Sequence, residues 1–304
     1  MSIVVLGSIN LDLTTYVPRL PRPGETLKGH SFMTAPGGKG ANQAVAAARL
    51  GARVCLVGRV GDDAFGRDSL EPVAGQGVDV GAVIRDKANP TGLALISVDD
   101  QGENAITVIS GANMALDQSD LERCRAVMKE AGVILFQREI PLEISRQAAS
   151  AARERGMTVI FDPAPAGSLP EDFYGEIDVL TPNQGETESL VGFRPKNEKE
   201  AALAAHELHR RGLDTAVIKL GERGVLWSGK GGTGYLEPFK VKAKDSVAAG
   251  DAFNGALAAA LDLGLGLEEA VRWGSAAGAI SATRAGAQPS LPDLTELEAM
   301  LNRG

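Results

Sequence analysis

Val133-Ile134-Leu135-Phe136-Gln137-Arg138-Glu139 opens a stretch that closes on Thr158-Val159-Ile160-Phe161, and the reading of that stretch decides the fold. Each end is a short, unbroken apolar run, the pattern of a strand buried on both faces. Between them, Leu142 to Arg155 has the length and periodicity of a helix. Strand, helix and strand of these lengths make a right-handed βαβ unit and imply a parallel sheet. The alternation continues on both sides. Helix-like Gln118 to Ala131 precedes it; strand Asp178 to Leu180, helix Glu198 to Arg211 and strand Thr215 to Leu220 follow. Near the N-terminus, Ile3 to Leu6 and Arg53 to Gly58 read as further buried strands, and Asp62 to Gln76 as a helix. Leu267 to Ala282 and Leu294 to Leu301 read as two helices joined by Thr283 to Ser290. No linker, repeat or change of composition divides the chain, which predicts one α/β domain over residues 1–304.

Two regions stand outside this rhythm. Residues 14 to 35 contain Pro18, Pro21, Pro23 and Gly24, and Glu25 to Ala35 reads as a half-exposed strand. Thr91 to Val98 and Asn104 to Ile109 flank Asp99-Asp100-Gln101-Gly102-Glu103, the spacing of a hairpin. Together these segments predict a small accessory sheet over about 14–35 and 91–109.

Polar residues collect where the strands end. Asn10 and Asp12 follow the first strand; Gln137 and Glu139 follow Phe136; Asp162 follows Phe161; Thr181 to Glu186 follow Leu180; Gly221-Glu222-Arg223-Gly224 follows Leu220. Turn chemistry accounts for each taken alone. Their recurrence along one edge fits the place where open α/β sheets bind ligands. Pro36-Gly37-Gly38-Lys39-Gly40-Ala41-Asn42-Gln43 is a glycine-rich loop feeding a helix with Ala41, Ala44, Val45 and Ala48 on one face and Gly51 at its end. Lys39 and Asn42 are placed to meet a ligand with many hydroxyls, or are merely solvated turn residues. A second loop, Asp245-Ser246-Val247-Ala248-Ala249-Gly250-Asp251-Ala252-Phe253, leads into an apolar helix that should begin near Ala249 to Asp251. The first amides of that helix and its dipole form an anion cradle, and the small side chains admit a large anion. Asp251 is then either a first-turn aspartate or a general base beside a bound phosphate.

Composition narrows the chemistry. The net charge of −8 over 304 residues argues against a nucleic-acid binder. No run approaches the ~20 apolar residues of a membrane span. Met1 to Gly7 is too short and lacks the basic start of a signal peptide. Cys55 and Cys124 form no framework, which predicts a reducing, cytoplasmic setting. His30, His206 and His209 make no metal motif, and G-x-S-x-G, Walker A and G-x-G-x-x-G patterns are absent. An anion cradle holding an aspartate, with hydroxyl-binding groups along the same edge, suits phosphoryl transfer to an alcohol.

Leu6-Gly7-Ser8-Ile9-Asn10-Leu11-Asp12, Pro23-Gly24-Glu25-Thr26, Gly37 to Ala44, Gly58-Arg59-Val60-Gly61-Asp62-Asp63, Thr181-Pro182-Asn183, Gly221 to Gly224 and Asp245 to Asn254, taken together, resemble the PfkB-type, ribokinase-like family of carbohydrate kinases. The resemblance runs from residue 3 to about 292, and Thr283 to Ser290 is similar to the ribokinase branch. It implies a three-layer α/β/α fold with a mostly parallel central sheet and a β-sheet lid that also pairs two subunits as a homodimer. The activity implied is transfer of the γ-phosphoryl group of ATP to the 5-hydroxyl of D-ribose, giving D-ribose 5-phosphate and ADP. Asn10, Asp12, Gly38, Lys39, Asn42 and Glu139 would hold the sugar, and Asp251 would take the proton of the 5-hydroxyl. The amides of Ala248, Ala249 and Gly250 would face the transferring group. Asn183 and Glu186 would organise phosphates and Mg²⁺; Lys219, Gly221, Gly224 and Ser275 would line the nucleotide. Asp245, Val247, Ser281, Arg284, Gly286 and Ser290 would hold K⁺, mostly through carbonyls. The chain departs from the pattern at Ala248, where many relatives carry Gly, at Lys219 and Ser275 in the nucleotide site, and at Asp162, where a ribokinase can carry Asn. The alternatives are a related kinase for deoxyribose, a nucleoside or a sugar acid, an inactive sugar-binding regulator, and a nicotinamide dehydrogenase.

Overall fold

Ile3–Leu6 (β1) is the third strand from one edge of a nine-stranded sheet, and its successive side chains divide the molecule. Ile3 and Val5 enter one apolar cluster, Val4 and Leu6 the other, as the two-residue period of a strand requires. The computed structural model describes residues 2–303. Asn10–Val17 (β2) and Ser31–Gly37 (β3) leave the main sheet, and Lys39–Arg49 (α1) returns to it. Val54–Gly61 (β4), Ala64–Gly75 (α2) and Asp79–Asp86 (β5) follow, then Gly92–Asp99 (β6) and Asn104–Ile109 (β7). The regular alternation is Gln118–Val127 (α3), Val133–Phe136 (β8), Leu142–Arg153 (α4), Thr158–Phe161 (β9), Val179–Leu180 (β10), Gln184–Val191 (α5), Glu198–Arg210 (α6) and Thr215–Lys219 (β11). Val225–Gly229 (β12), Gly232–Leu236 (β13), Ala249–Asp262 (α7), Leu267–Ala282 (α8) and Leu294–Leu301 (α9) complete the chain.

The main sheet runs β13-β12-β11-β10-β9-β8-β1-β4-β5. It is parallel from β5 to β11, and β12 and β13 extend it antiparallel. Residues of α1, α7, α8 and α9 fill the cluster on one face, and those of α3, α4 and α6 the cluster on the other. That is the expected α/β/α layering. The second sheet, β3-β2-β6-β7, is separate; β2 and β6 pair in parallel, and the outer pairs are antiparallel.

The close crossing of α1 and α7 positions the chemistry. A Cβ at Gly255 would stand 2.8 Å from the carbonyl oxygen of Gln43. Only glycine there lets the first turn of α7 lie against Asn42 and Gln43. With Ala41, Ala44, Ala46 and Ala47 buried opposite, the interface replaces bulk with proximity.

The strand and helix expectations hold in kind, with shifted limits. Asn10 and Asp12 begin a strand of the small sheet rather than a loop after β1. The strand expected from Glu25 starts at Ser31. The helix expected to reach Ala131 stops at Val127 and tightens into a 3₁₀ turn. Strands β5, β12 and β13 and helix α5 were not anticipated. Asp79, Gly81 and Arg85 interrupt the apolar pattern of β5, which lies at the sheet edge with its side chains largely outside the core. β12 and β13 are rich in glycine, and α5 opens on a polar capping box.

Candidate active site

Asp251 occupies the first turn of α7 and is 5% exposed. Asn42 Nδ2 donates to its Oδ2 at 3.0 Å and Gln43 Nε2 to its Oδ1 at 3.1 Å. Gln43 also donates to Asp162 Oδ2 at 2.9 Å, and its own Oε1 accepts from Gln137 Nε2 at 2.7 Å. The side chain of Gln43 is thereby held at both ends in a fully buried position. Burial pushes the Asp251 carboxyl up to about 6; Lys39 pulls it down, and the charge of Asp162 adds to the rise. A carboxylate at that value is ionised at neutral pH yet basic enough to accept a proton.

The cradle at the start of α7 rests on Ala248, at φ 59° the one non-glycine residue with left-handed backbone among the described residues. This turn ends the loop and aims the following amides. Of the amides expected to face an anion, that of Ala249 donates instead to the Ser246 carbonyl at 3.2 Å. Those of Gly250 and Asp251, second and third in the helix, have no intrahelical acceptor.

The glycine loop meets the start of β2. At Gly38 (φ 86°) a Cβ would stand 2.7 Å from the Asn10 amide nitrogen, so glycine is required on two counts. Glu139 Oε2 accepts from Ser8 Oγ at 2.5 Å and from the Lys39 amide at 3.1 Å. Asn113 donates to Asn10 Oδ1 at 2.7 Å and accepts from the Ile9 amide at 2.9 Å. The Asp12 carboxylate lies against the bare face of Gly37. Burial lifts Asp12 to about 6, helped by the charges of Glu139 and Asp251. Lys39 is held strongly in its charged form, first by Asp251, against the cost of burial, with Asp162, Glu139 and Glu186 adding to the pull.

Across the sheet edge, Asn183 caps α5: its Oδ1 accepts from the Glu186 amide at 2.9 Å, and Glu186 Oε2 accepts from the Asn183 amide at 2.7 Å. Burial raises the Glu186 carboxyl while Lys219 opposes the rise. The Lys219 amide donates to the Pro182 carbonyl at 2.9 Å, tying β11 to this loop. Its Nζ stands 3.5 Å from Asp162 Oδ1 and would be 3.7 Å from a Cβ at Gly250. Gly221 (φ 64°) and Gly224 (φ 93°) turn the chain after Leu220, and a side chain at Gly224 would strike the Leu236 carbonyl.

Asp245 and Ser275 lie outside this charged floor. Asp245 Oδ1 accepts from the Val247 amide at 2.9 Å and Oδ2 from the Gly286 amide at 3.0 Å, joining two loops. Ser281 and Ser290 share a hydroxyl bond of 2.7 Å, while the Arg284 side chain pairs with Glu296. Val247 is exposed. Ser275 is half-buried on α8, beside Gly274, where α8 meets Phe253.

Sequence reasoning assigned no role to Gln43, Asn113 or Ser8. Gln43 follows Asn42 in the glycine motif, a usable signal. Asn113 lies in a 3₁₀ turn, Gly111–Ala115, with no motif, and only the folded chain brings it to Ile9 and Asn10.

This geometry brings a polar edge and the amide-lined start of α7 together at one carboxylate, and comparison with known proteins gives the class. The model of the pfkB family of carbohydrate kinases matches residues 1–294, and the chain belongs to that family. It is 41% identical to the ribokinase of Haemophilus influenzae over 97% of this chain and 96% of that one. It is 33% identical to the deoxyribokinase of Salmonella typhi over 99% of both. Among solved structures, the Arabidopsis thaliana ribokinase complexed with ribose and ATP superposes with a TM-score of 0.91 at 34% identity, covering 99% of this chain and 98% of that chain.

Proposed function

We propose that the chain phosphorylates ribose with ATP, transferring the γ-phosphoryl group to the 5-hydroxyl and releasing ADP. The observation that carries this reading is the Asp251 carboxylate, buried at the mouth of the anion cradle and fixed by Asn42 and Gln43. The sugar lies between Asn10, Asp12, Gly38, Lys39, Asn42 and Glu139. Asp251 accepts the proton of the attacking hydroxyl as the new O–P bond forms. The bond from the γ-phosphorus to the bridging oxygen breaks, and its electron pair leaves with ADP. The amides of Gly250 and Asp251, with the loop at Ala248, face the charge of the transferring group; one such donor is typically worth about 10²–10³ in rate. Positioning supplies much of the remainder.

The nucleotide lies along Asn183, Lys219, Gly221, Gly224 and Gly250, with its base toward Ser275. The carboxylates of Asp12, Glu139, Asp162, Glu186 and Asp251 outnumber the ammonium groups of Lys39 and Lys219, so a bare polyphosphate would be repelled. Among the described residues no group of three His, Cys, Asp or Glu is placed to hold a metal. Mg²⁺ would therefore come bound to the phosphates, with Glu186 and Asn183 as the residues that would organise it, and it would neutralise their charge. The donors at Asp245, Val247, Ser281, Arg284, Gly286 and Ser290 are carboxylate, hydroxyl and carbonyl oxygens, a set that suits K⁺. Arg284 can contribute only its carbonyl, since its guanidinium faces Glu296.

We read the chain as one unit, with β2, β3, β6 and β7 as its lid. Cross-strand register puts Tyr16, Met33, Ile106 and Val108 on the face of the small sheet that carries Asp12. All four are exposed. A second copy of the chain would cover them, giving a homodimer. Cys55 and Cys124 are free, and among the described residues no helix is long and apolar enough to cross a membrane; a cytoplasmic setting fits both.

A panel of ribose, deoxyribose, nucleosides and sugar acids, with Mg·ATP and with or without K⁺, tests the reading. Ribose is expected to turn over fastest, with K⁺ accelerating it. Fast turnover of deoxyribose with none of ribose would transfer the reading to the relative's substrate, and rates equal with K⁺ and a bulky organic cation would remove the ion.

A further inference from the structure

Asp162 is 3% exposed at the end of β9, and its two oxygens serve different groups. Oδ2 accepts from Gln43 Nε2, the same amide nitrogen that holds Asp251 Oδ1. Oδ1 has no hydrogen bond; its neighbour is the Lys219 ammonium at 3.5 Å, an ionic contact rather than a bonded pair. A buried carboxylate oxygen without a donor is costly unless a charge faces it. Lys219 is itself only 13% exposed in its side chain. It stands over the Phe253 ring, 5.6 Å from the centroid, and beside the bare face of Gly250. Its three donors therefore lie beside Gly250, the second residue of α7, at the start of the anion cradle.

We propose that Asp162 is a positioning residue for phosphoryl transfer, aligning Asp251 through Gln43 with one oxygen and holding the Lys219 ammonium at the anion cradle with the other, so that Lys219 directly contacts the transferring phosphoryl group. The proposal rests on the kinase reading above. The ammonium leans on Asp162. When the nucleotide arrives, its phosphate oxygens complete the coordination that Oδ1 leaves incomplete. The charge that develops on those oxygens in the transition state strengthens the contact, so Lys219 acts on kcat as well as on nucleotide affinity. One carboxylate thereby sets the distance between base and phosphoryl group, the quantity on which in-line transfer depends.

The test is a double-mutant cycle on the full chain. It uses Asp162→Asn, Lys219→Met and the pair, with kcat, the KM for ATP, ribose binding by calorimetry and thermal midpoints. Lys219→Met is expected to lower kcat by about 10²-fold and to raise the KM for ATP by about tenfold, leaving ribose affinity within about twofold. Asp162→Asn is expected to lower kcat by about tenfold alone, and by less than about twofold in the Lys219→Met background, because its effect runs largely through the lysine. Lys219→Arg, which keeps the charge, is expected to recover at least about tenfold of the lost kcat, and it reads the coupling if the neutral variant does not fold. Equal Asp162→Asn effects in both backgrounds, or unchanged kcat in Lys219→Met, would overturn the proposal. Calorimetry of a non-hydrolysable Mg·ATP analogue needs no sugar. Loss of its affinity in Lys219→Met supports the nucleotide contact even if the acceptor proves not to be ribose, and unaltered affinity counts against it.

Discussion

The floor of the site and the small sheet above it solve opposite problems. On the floor, Asn10, Asn42, Gln43, Asp162 and Asp251 are at most 5% exposed, and each is held by a side-chain partner. On the small sheet, Phe32 is 70%, Ile106 53% and Val108 55% exposed, and every residue of β7 is open to solvent. One region is a preorganised polar network in a low-dielectric setting, where a misplaced group is expensive. The other is apolar surface awaiting cover. The proposed function gives chemistry to the first and closure to the second, and mutations should separate the two by the kinetic constant they move.

The strongest break is Asp251→Asn. The amide keeps the shape and can still accept from Gln43 Nε2, but its NH₂ then faces Asn42, whose amide must turn to accept from it, and it cannot take up a proton. Turnover is expected to fall by about 10²–10⁴-fold, with ribose affinity within about threefold. Near-normal kcat would remove the base from Asp251 and leave the floor with a structural role alone.

Val108→Glu probes the cover. A charge placed in the apolar row beside Asp12 should split the proposed homodimer, read by sedimentation. The KM for the sugar is expected to rise by about tenfold while kcat changes less, because the floor is untouched and only the closed state is lost. A variant that stays dimeric with an unchanged KM would end the assignment of this face to subunit pairing.

A finer cut uses protons. Asp251 and Asp12 are both held at about 6 by burial, one on the floor and one on the sheet. A raised carboxyl pKa means that the charged form is present above that value and lost below it. In the proposed function both groups are needed charged, one to take a proton and one to bind hydroxyls. The logarithm of kcat/KM should therefore fall below pH 6 with a slope near two, and Asp12→Asn should reduce that slope to about one. A slope of one in the parent chain would mean that only one of the two titrates in the free enzyme.

How much of this was legible depended on how local the signal was. β1, β8 and β9 are buried on both faces, so their runs of Val, Ile, Leu and Phe read directly as strands. The edge strand β5 reads poorly because Asp79, Gly81 and Arg85 break its apolar pattern, and β12 and β13, although paired locally across Lys219–Val225 and Gly229–Gly232, carry glycines and polar residues that weaken theirs. In the site, Asp251, Lys39 and Asn42 sit in glycine motifs whose composition announces a close backbone approach. Gln43, Gln137 and Asp162 form a network across separations of 94 and 119 residues. No window along the chain contains that network; it forms where Gln43 of α1 meets the residues that follow β8 and β9, and the crossing of α1 and α7 at Gly255 adds Asp251 to it.

Ala248 gives the smallest effect and the clearest statement of what the floor requires. A non-glycine residue in left-handed backbone costs about 1–2 kcal/mol. Glycine relieves that strain but loses more freedom on folding, about 0.5–1 kcal/mol. Ala248→Gly should therefore stabilise the chain slightly, raising the thermal midpoint by about 1–3 °C. If the strain served nothing, activity would be unchanged. But φ at Ala248 sets the direction of the amides that follow, and alanine leaves that turn fewer ways to relax than glycine does. The expected outcome is a more stable protein with kcat lower by about twofold, because the Gly250 amide is less firmly aimed. A variant that is less stable would show that Ala248 is not strained at all. One that is more stable and equally fast would show that the cradle is fixed from the other side, by Asn42 and Gln43 on α1.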